Sequence, residues 1–173
     1  CEKILFKYSS EKFVTTVVRP ATVCGYSNRQ RLDVVVNILT NLAFHKREIS
    51  VFGGEQLRPN IHIQDMIRAY NYFIEADDDS INNEIFNVGF ENLTINQISN
   101  KVVNILGKDI TIKKISSDDN RSYHVSSEKI KEKLNFTLEH TVDDAISDLK
   151  DAFEKNKIPN SLNDEKYFNI KVM

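Results

Sequence analysis

Arg58 lies just beyond the pair Gly53-Gly54 and is followed by Pro59, a setting that reads as a rigid but open loop. Its planar guanidinium can hold two oxygens of a phosphate at once; a surface ion pair is the other use open to it. Residues 17–25 (VVRPATVCG) carry a different chemistry. A β-branched strand runs into Arg19-Pro20 and then into a turn of small residues that closes at Gly25. In open α/β sheets, ligands bind at the carboxyl ends of the strands, where such a turn sits. Pro20 fixes φ and removes a donor, while Ala21 and Thr22 allow close approach of another molecule. Taken alone, the segment reads equally well as an ordinary strand exit.

Other reactive residue types lack the spacing that chemistry needs. His62-Ile-Gln-Asp65 invites a metal or acid–base role, yet His45, His62, His124 and His140 have no metal-ligand spacing and no ligand-type cysteine pair joins them. Asp65 is expected instead to cap a helix or sit in its first turn. The run Asp77-Asp-Asp79 reads as a solvated helix end. Cys1 and Cys24 form no disulfide framework; they read as small buried or terminal thiols and fit a reducing cytoplasm. No Gly-x-x-Gly-x-x-Gly follows a strand, so a dinucleotide phosphate loop of that kind is not encoded in these residues.

The elements that must position these residues follow from hydrophobic periodicity. Residues 1–12 space Ile4, Leu5 and Tyr8 like the tail of a helix, and residues 13–18 (FVTTVV) read as a buried strand. Helices are expected over 32–46, 64–76, 94–107, 127–134 and from 141 onward. Thr94-Ile-Asn-Gln97 and Thr141-Val-Asp-Asp144 supply capping-box patterns for two of them. Strands are expected over 49–52, 84–88 and 109–115. Beyond Asn156 the chain is polar and reads as irregular. Strands and helices alternate, which makes the class α/β.

The 173 residues suit one domain or the larger part of a two-lobed one. With 40% hydrophobic residues, ten Phe and six Tyr, a core can be buried. The net charge of −2 and the interspersed charges argue against nucleic-acid binding. No apolar run approaches a membrane span and no leader pattern suggests secretion. The chain begins with Cys1 rather than Met, so its natural start is expected to lie upstream.

A series of blocks sharpens the reading: residues 17–25, Arg31-Leu-Asp-Val-Val-Val-Asn37, Val51-Phe-Gly-Gly54, Arg58-Pro-Asn-Ile-His-Ile-Gln-Asp65, Ile85-Phe-Asn-Val-Gly89 and Asp119-Asn-Arg-Ser-Tyr123. In order and spacing they resemble the extended short-chain dehydrogenase/reductase family, specifically its NAD-dependent epimerases and dehydratases of nucleotide sugars. The resemblance runs from residue 1 to about residue 156. It implies the C-terminal portion of a Rossmann-type doubly wound sheet plus a smaller α/β substrate-binding lobe. Residues 1–30 would be the last part of the Rossmann domain, 31–156 the lobe with one or two strands returning to the main sheet, and 157–173 a tail.

By this resemblance Pro20, Ala21 and Val23 line the cofactor, NAD or NADP, and Thr22 faces the substrate. Many members have Asn at the Thr22 position. The helix start at Arg31 and Leu32 resembles the segment that meets the substrate's diphosphate. The physics agrees, since free N–H groups and the helix dipole favour an anion there; Asp33 in the same turn is equally ordinary helix-start chemistry. Arg58 matches an arginine that binds nucleotide-sugar phosphates, although many members follow it with Asp where this chain has Pro59. Arg121 resembles a second phosphate or ribose contact, with a salt bridge to Asp118 or Asp119 as its alternative; Tyr123 would help close the pocket. Tyr8-Ser-Ser-Glu-Lys12 fits the family's catalytic Tyr-x-x-x-Lys but stands too near the Arg-Pro strand to be that pair. The expectation is therefore a nucleotide-sugar-binding part, inactive by itself, of a cytoplasmic enzyme that could be a homodimer, with about 150–170 residues upstream. A non-catalytic module on the same fold, or a reductase of a small carbonyl compound, are the competing readings.

Overall fold

The structure is a computed structural model, and it describes residues 1–117 and 121–172. Seven strands and eight α-helices alternate along these residues. The strands are β1 Thr16–Pro20, β2 Thr22–Cys24, β3 Glu48–Phe52, β4 Leu57–His62, β5 Glu84–Val88, β6 Glu91–Thr94 and β7 Thr111–Ile115. The helices are α1 Glu2–Leu5, α2 Val35–Lys46, α3 Ile63–Glu75, α4 Asp78–Ile81, α5 Ile95–Leu106, α6 Glu128–Leu134, α7 Val142–Glu154 and α8 Asn169–Val172. β1 pairs in parallel with β5, and β3 with β7. β4 lies between β2, which it meets in parallel, and β6, which it meets antiparallel. Parallel strands linked through helices make this an α/β fold.

Two packed cores hold most of these elements. One gathers Val36, Leu39 and Ala43 of α2, Ile49 of β3, Ile98 and Val102 of α5, and Ala145 and Ile146 of α7. The other gathers Ile61 of β4, Met66, Ala69 and Phe73 of α3, Phe86 and Val88 of β5, Ile130 of α6, and Phe136. α5 and α7 start where their capping boxes stand, with Thr94 accepting from the N–H of Gln97 and Thr141 from that of Asp144. No helix among the described residues is long and apolar enough to cross a membrane.

Four expectations need correction. The helix over residues 1–12 is only α1 and a 3-10 turn, Phe6–Tyr8, and its apolar face is uncovered, with Tyr8 69% exposed. α2 begins at Val35 rather than Leu32. Leu32 is fully buried, its N–H donates to the carbonyl of Tyr167 at 2.8 Å, and Val34 is extended. Tertiary burial has overridden helical spacing there. Arg58 is not in a loop but in β4, whose pairing with β2 starts only at Asn60, so Pro59 costs no bond on that side. Finally, the segment after Asn156 is packed. Ile158 and Tyr167 join Leu32, Leu149 and Phe153 in a third buried cluster, and a 3-10 turn at Glu165–Tyr167 leads into α8.

Candidate functional site

β1 and β2 are separated by Ala21 alone, whose N–H donates to the carbonyl of Val88 at 2.7 Å. The chain therefore leaves the β1–β5 pair and enters the β2–β4 pair within one residue. The surface of residues 20–25 opens into a cavity of about 430 Å³, walled by Pro20, Ala21, Thr22, Val23, Arg31, Val34 and Ile63 among others. A second cavity, of about 250 Å³, is walled by Thr22, Asp33, Val34, Val35, Arg58, Arg121 and Tyr123. Thr22 and Val34 belong to both, so the two cavities adjoin across them.

Of the candidate residues, Thr22, Arg58, Arg121 and Tyr123 thus share the smaller cavity, while Pro20, Ala21, Val23 and Arg31 line the larger. Leu32 lines neither: its side chain is in the third core and its N–H is spent on Tyr167. Leu32 precedes α2 and its N–H is already donated, so the helix-start donor expected there is not at that position. Arg31 Nε pairs with Asp33 Oδ1 at 2.5 Å. Arg58 Nη1 donates to the carbonyls of Leu57, at 3.0 Å, and Arg121, at 2.5 Å, and the N–H of Leu57 donates to Ser122 Oγ at 3.0 Å. The start of β4 thereby carries residues 121 and 122 against it. Asp118 and Asp119, the alternative partners of Arg121, lie outside the described residues.

Two buried amides hold the turn in place: Asn37, which the sequence suggests is a solvated or helix-packing residue, and Gln30, to which it assigns nothing. Asn37 Oδ1 accepts from the N–H of Gly25 at 3.0 Å, and its Nδ2 donates to the carbonyl of Arg31 at 2.8 Å. Gln30 accepts from the N–H of Ser27 and donates to the carbonyls of Gly25 and Arg31. Gly25 has φ +100, and a Cβ there would come within 3.2 Å of His62 Nε2. Asn37 in an apolar helix stretch was the available signal; the role of Gln30 depends on the loop's path and leaves none.

His62 forms the floor beneath Gly25. Its Nδ1 accepts from the N–H of Gln64 at 3.2 Å and caps α3, so the ring carries its proton on Nε2. Nε2 is 3.3 Å from Asp148 Oδ2 but is not aimed for a hydrogen bond, and the ring stacks on His140 at 4.7 Å. Burial, and then the charge of His140, push the His62 pKa down against the pull of Asp148, Asp65 and Asp144. Asp65 stands in the first turn of α3, one of the two places expected for it, and His62 takes the cap. Asp65 is fully buried, and its oxygens accept from the N–H groups of Glu139 and His140 and from Arg68. Burial works to raise its pKa, but these bonds, led by the His140 N–H, hold it below the ordinary carboxylate value. The pair is a structural tie between α3 and the approach to α7.

Other nucleophile types are equally engaged. Burial and the nearby Glu91 push the Cys24 thiol up to about 12, which leaves no thiolate for chemistry. Ser161 Oγ, beside His45 Nε2 at 2.9 Å, already donates to Asn41 Oδ1, so His45 donates to it rather than activating it. Among the described residues no group of three or more His, Cys, Asp or Glu side chains could hold a metal.

A family model described as the NAD dependent epimerase/dehydratase family matches residues 1–89. Among solved structures, a UDP-glucose 4-epimerase from Thermotoga maritima, determined with UDP-glucose, matches with a TM-score of 0.77 at 27% identity, over 90% of this chain and 51% of that one. A dTDP-glucose 4,6-dehydratase from Bacillus anthracis in complex with NAD gives 0.74 at 19% identity, over 98% and 52%. A UDP-glucuronic acid 4-epimerase from Bacillus cereus, in complex with UDP-glucuronic acid and NAD, gives 0.74 at 22% identity, over 90% and 49%. The chain spans about half the length of the structures it matches, and it shares their α/β fold.

Proposed function

The chain belongs to the NAD-dependent epimerase/dehydratase family, and from that premise we propose that it forms the nucleotide-sugar-binding part of such an enzyme. The observation that carries this reading is the meeting of Thr22, Arg58, Arg121 and Tyr123 in one cavity, beside the cavity lined by Pro20, Ala21 and Val23. Two guanidiniums from distant segments suit a diphosphate, whose oxygens each can accept charge-assisted bonds. Tyr123, about half exposed at the rim, can cover the ligand. Thr22 sits where the two cavities adjoin and offers its hydroxyl to the sugar.

The larger cavity fits the nicotinamide end of NAD or NADP. Pro20, Ala21 and Val23 give it a small, apolar wall at strand ends, and the polar groups of Gln30 and Asn37 nearby are already spent on holding the turn. When bound, the cofactor would accept and return a hydride. This chain's part is to hold the ring edge and the substrate's diphosphate so that the reacting carbon is fixed between them. Binding energy from the remote diphosphate then serves positioning. Tyr8 and Lys12 are exposed on a short turn and are given no catalytic role, and no Gly-rich loop stands in these residues. The chain by itself is accordingly assigned binding without turnover. In this reading β1 and β5 belong to the main sheet, the cores around α2, α5 and α7 to the substrate lobe, and the enzyme works in the cytoplasm, as a homodimer.

Titration calorimetry of the 173-residue chain with UDP-glucose tests the clamp. Arg58→Ala and Arg121→Ala should each weaken binding about tenfold or more, the loss of one charge-assisted contact. Affinity unchanged in both variants would sink the reading.

A further inference from the structure

Arg121 and Tyr123 reach the smaller cavity from a stretch that no ladder holds. Residues 121–127 join no strand or helix; β7 ends at Ile115 and α6 starts at Glu128. A chain without regular hydrogen bonding keeps one course only where other groups take up its backbone donors and acceptors. One side chain does so twice over. Asn92 Oδ1 accepts from the N–H of Val125 at 2.8 Å, and its Nδ2 donates to the carbonyl of the same residue at 3.0 Å. The amide thus meets Val125 as the opposite residue does in a hydrogen-bonded antiparallel pair.

Asn92 is itself placed by the sheet. In the β4–β6 pairing it stands opposite Pro59, and Leu93 stands opposite Arg58. The strand pair that carries Arg58 therefore also carries the amide that fixes Val125, and two walls of the cavity share one reference. The ends of the stretch are held as well. Arg58 Nη1 donates to the carbonyl of Arg121, and Ser127 Oγ bonds both the N–H and the carbonyl of Gly89, at 2.7 and 2.8 Å. Asn92 grips the middle, and it does not itself line the cavity.

From this geometry we infer that Asn92 is a positioning residue for the diphosphate clamp: by gripping both backbone groups of Val125 it sets the course of the stretch that brings Arg121 and Tyr123 to the site. The inference rests on the clamp proposed above and deepens it. An asparagine amide offers one donor and one acceptor side by side. A leucine of similar size loses both bonds, and an aspartate sets a carboxylate against the Val125 carbonyl. Freed at its middle, the stretch samples more courses, and a ligand must select the one in which Arg121 and Tyr123 face it. Affinity then falls by the fraction of time that this course is populated.

Hydrogen exchange of the ligand-free 173-residue chain tests the grip without any ligand. In Asn92→Ala the amide of Val125 and its neighbours in residues 121–127 should exchange about tenfold faster, with residues 20–25 unchanged. Titration calorimetry should then show UDP-glucose binding about fivefold more weakly in Asn92→Ala. That loss should vanish in a chain already carrying Arg121→Ala and Tyr123→Ala, because the stretch has nothing left to position. A merely structural role would cost the same in both backgrounds. Asn92→Thr, which suits a strand but cannot grip both groups, gives the same readings if Asn92→Ala does not fold. Unchanged exchange in residues 121–127, unchanged affinity, or an equal loss in both backgrounds overturns the inference. The clamp survives that result if Arg58→Ala and Arg121→Ala still weaken UDP-glucose. If wild type does not bind UDP-glucose, or if both arginine variants bind as wild type does, the clamp fails and the role of Asn92 with it, whatever the exchange shows.

Discussion

His62 is a base kept neutral by its surroundings, and that ties stability to pH. Its Nδ1 is needed as an acceptor for the first turn of α3, and burial lowers its pKa from the ordinary 6.5. Protonation turns Nδ1 into a donor facing a helix N–H and places a charge beside His140. The sign follows from proton counting. Just below pH 6.5 the unfolded chain binds a proton at this site that the folded chain refuses, so stability is full above that pH and falls as pH drops below it. His45, whose pKa burial also lowers, adds in the same direction. The urea midpoint should fall between pH 8 and pH 5.5, and less so in His62→Asn, where an amide oxygen can cap the helix without titrating. A midpoint flat over that range in wild type would remove His62 from the account. At this scale the sequence revealed the groups whose chemistry is intrinsic. Arg58, Arg121 and Thr22 could be singled out by type and order. Gln30 could not, because its function is defined by three backbone groups whose meeting depends on a loop's path.

Elements were legible where the signal is local and hidden where it is not. α5 and α7 begin at capping boxes that four consecutive residues spell out, and β5 reads as a strand from composition alone. β4 does not, since Leu-Arg-Pro-Asn-Ile-His has no alternation and Pro59 argues against a strand. It becomes one only through β2 and β6, far away in sequence. The start of α2 failed for a similar reason. Leu32 has the right spacing for the helix but is taken by the third core, whose other members come from α7 and the last segment. This makes Leu32 a link between the site's loop and the chain's end. Leu32→Ala should cost about 2–5 kcal/mol, the range for a fully buried leucine, and should raise hydrogen exchange at Tyr167 and Phe168 as well as near residues 30–34. A cost below about 1 kcal/mol by urea unfolding would mean that the tail packs without it.

The candidate site belongs to no single element, and that has a consequence for the whole molecule. Thr22 is in β2, whose neighbour β1 pairs with β5; Arg58 is the second residue of β4; Asp33 and Val34 lead into α2, which Val35 begins; Arg121 and Tyr123 come from the segment between β7 and α6. α2 packs into one core, and β5 and α6 into the other. A diphosphate held between these segments bridges parts that rest on different cores, so it should stabilise the molecule rather than one loop. For a ligand that binds only the folded state, the gain at a concentration one hundred times its Kd is about 2.7 kcal/mol. UDP-glucose at that excess should raise the unfolding free energy by this amount. Hydrogen exchange should slow both in residues 20–25 and in residues 121–127, although residues 26–120 lie between the two stretches in the sequence. Arg58→Ala, at the same absolute ligand concentration, should lose most of the gain. Protection confined to one of the two stretches would show that the ligand touches a single wall, and the two-armed clamp would have to be abandoned.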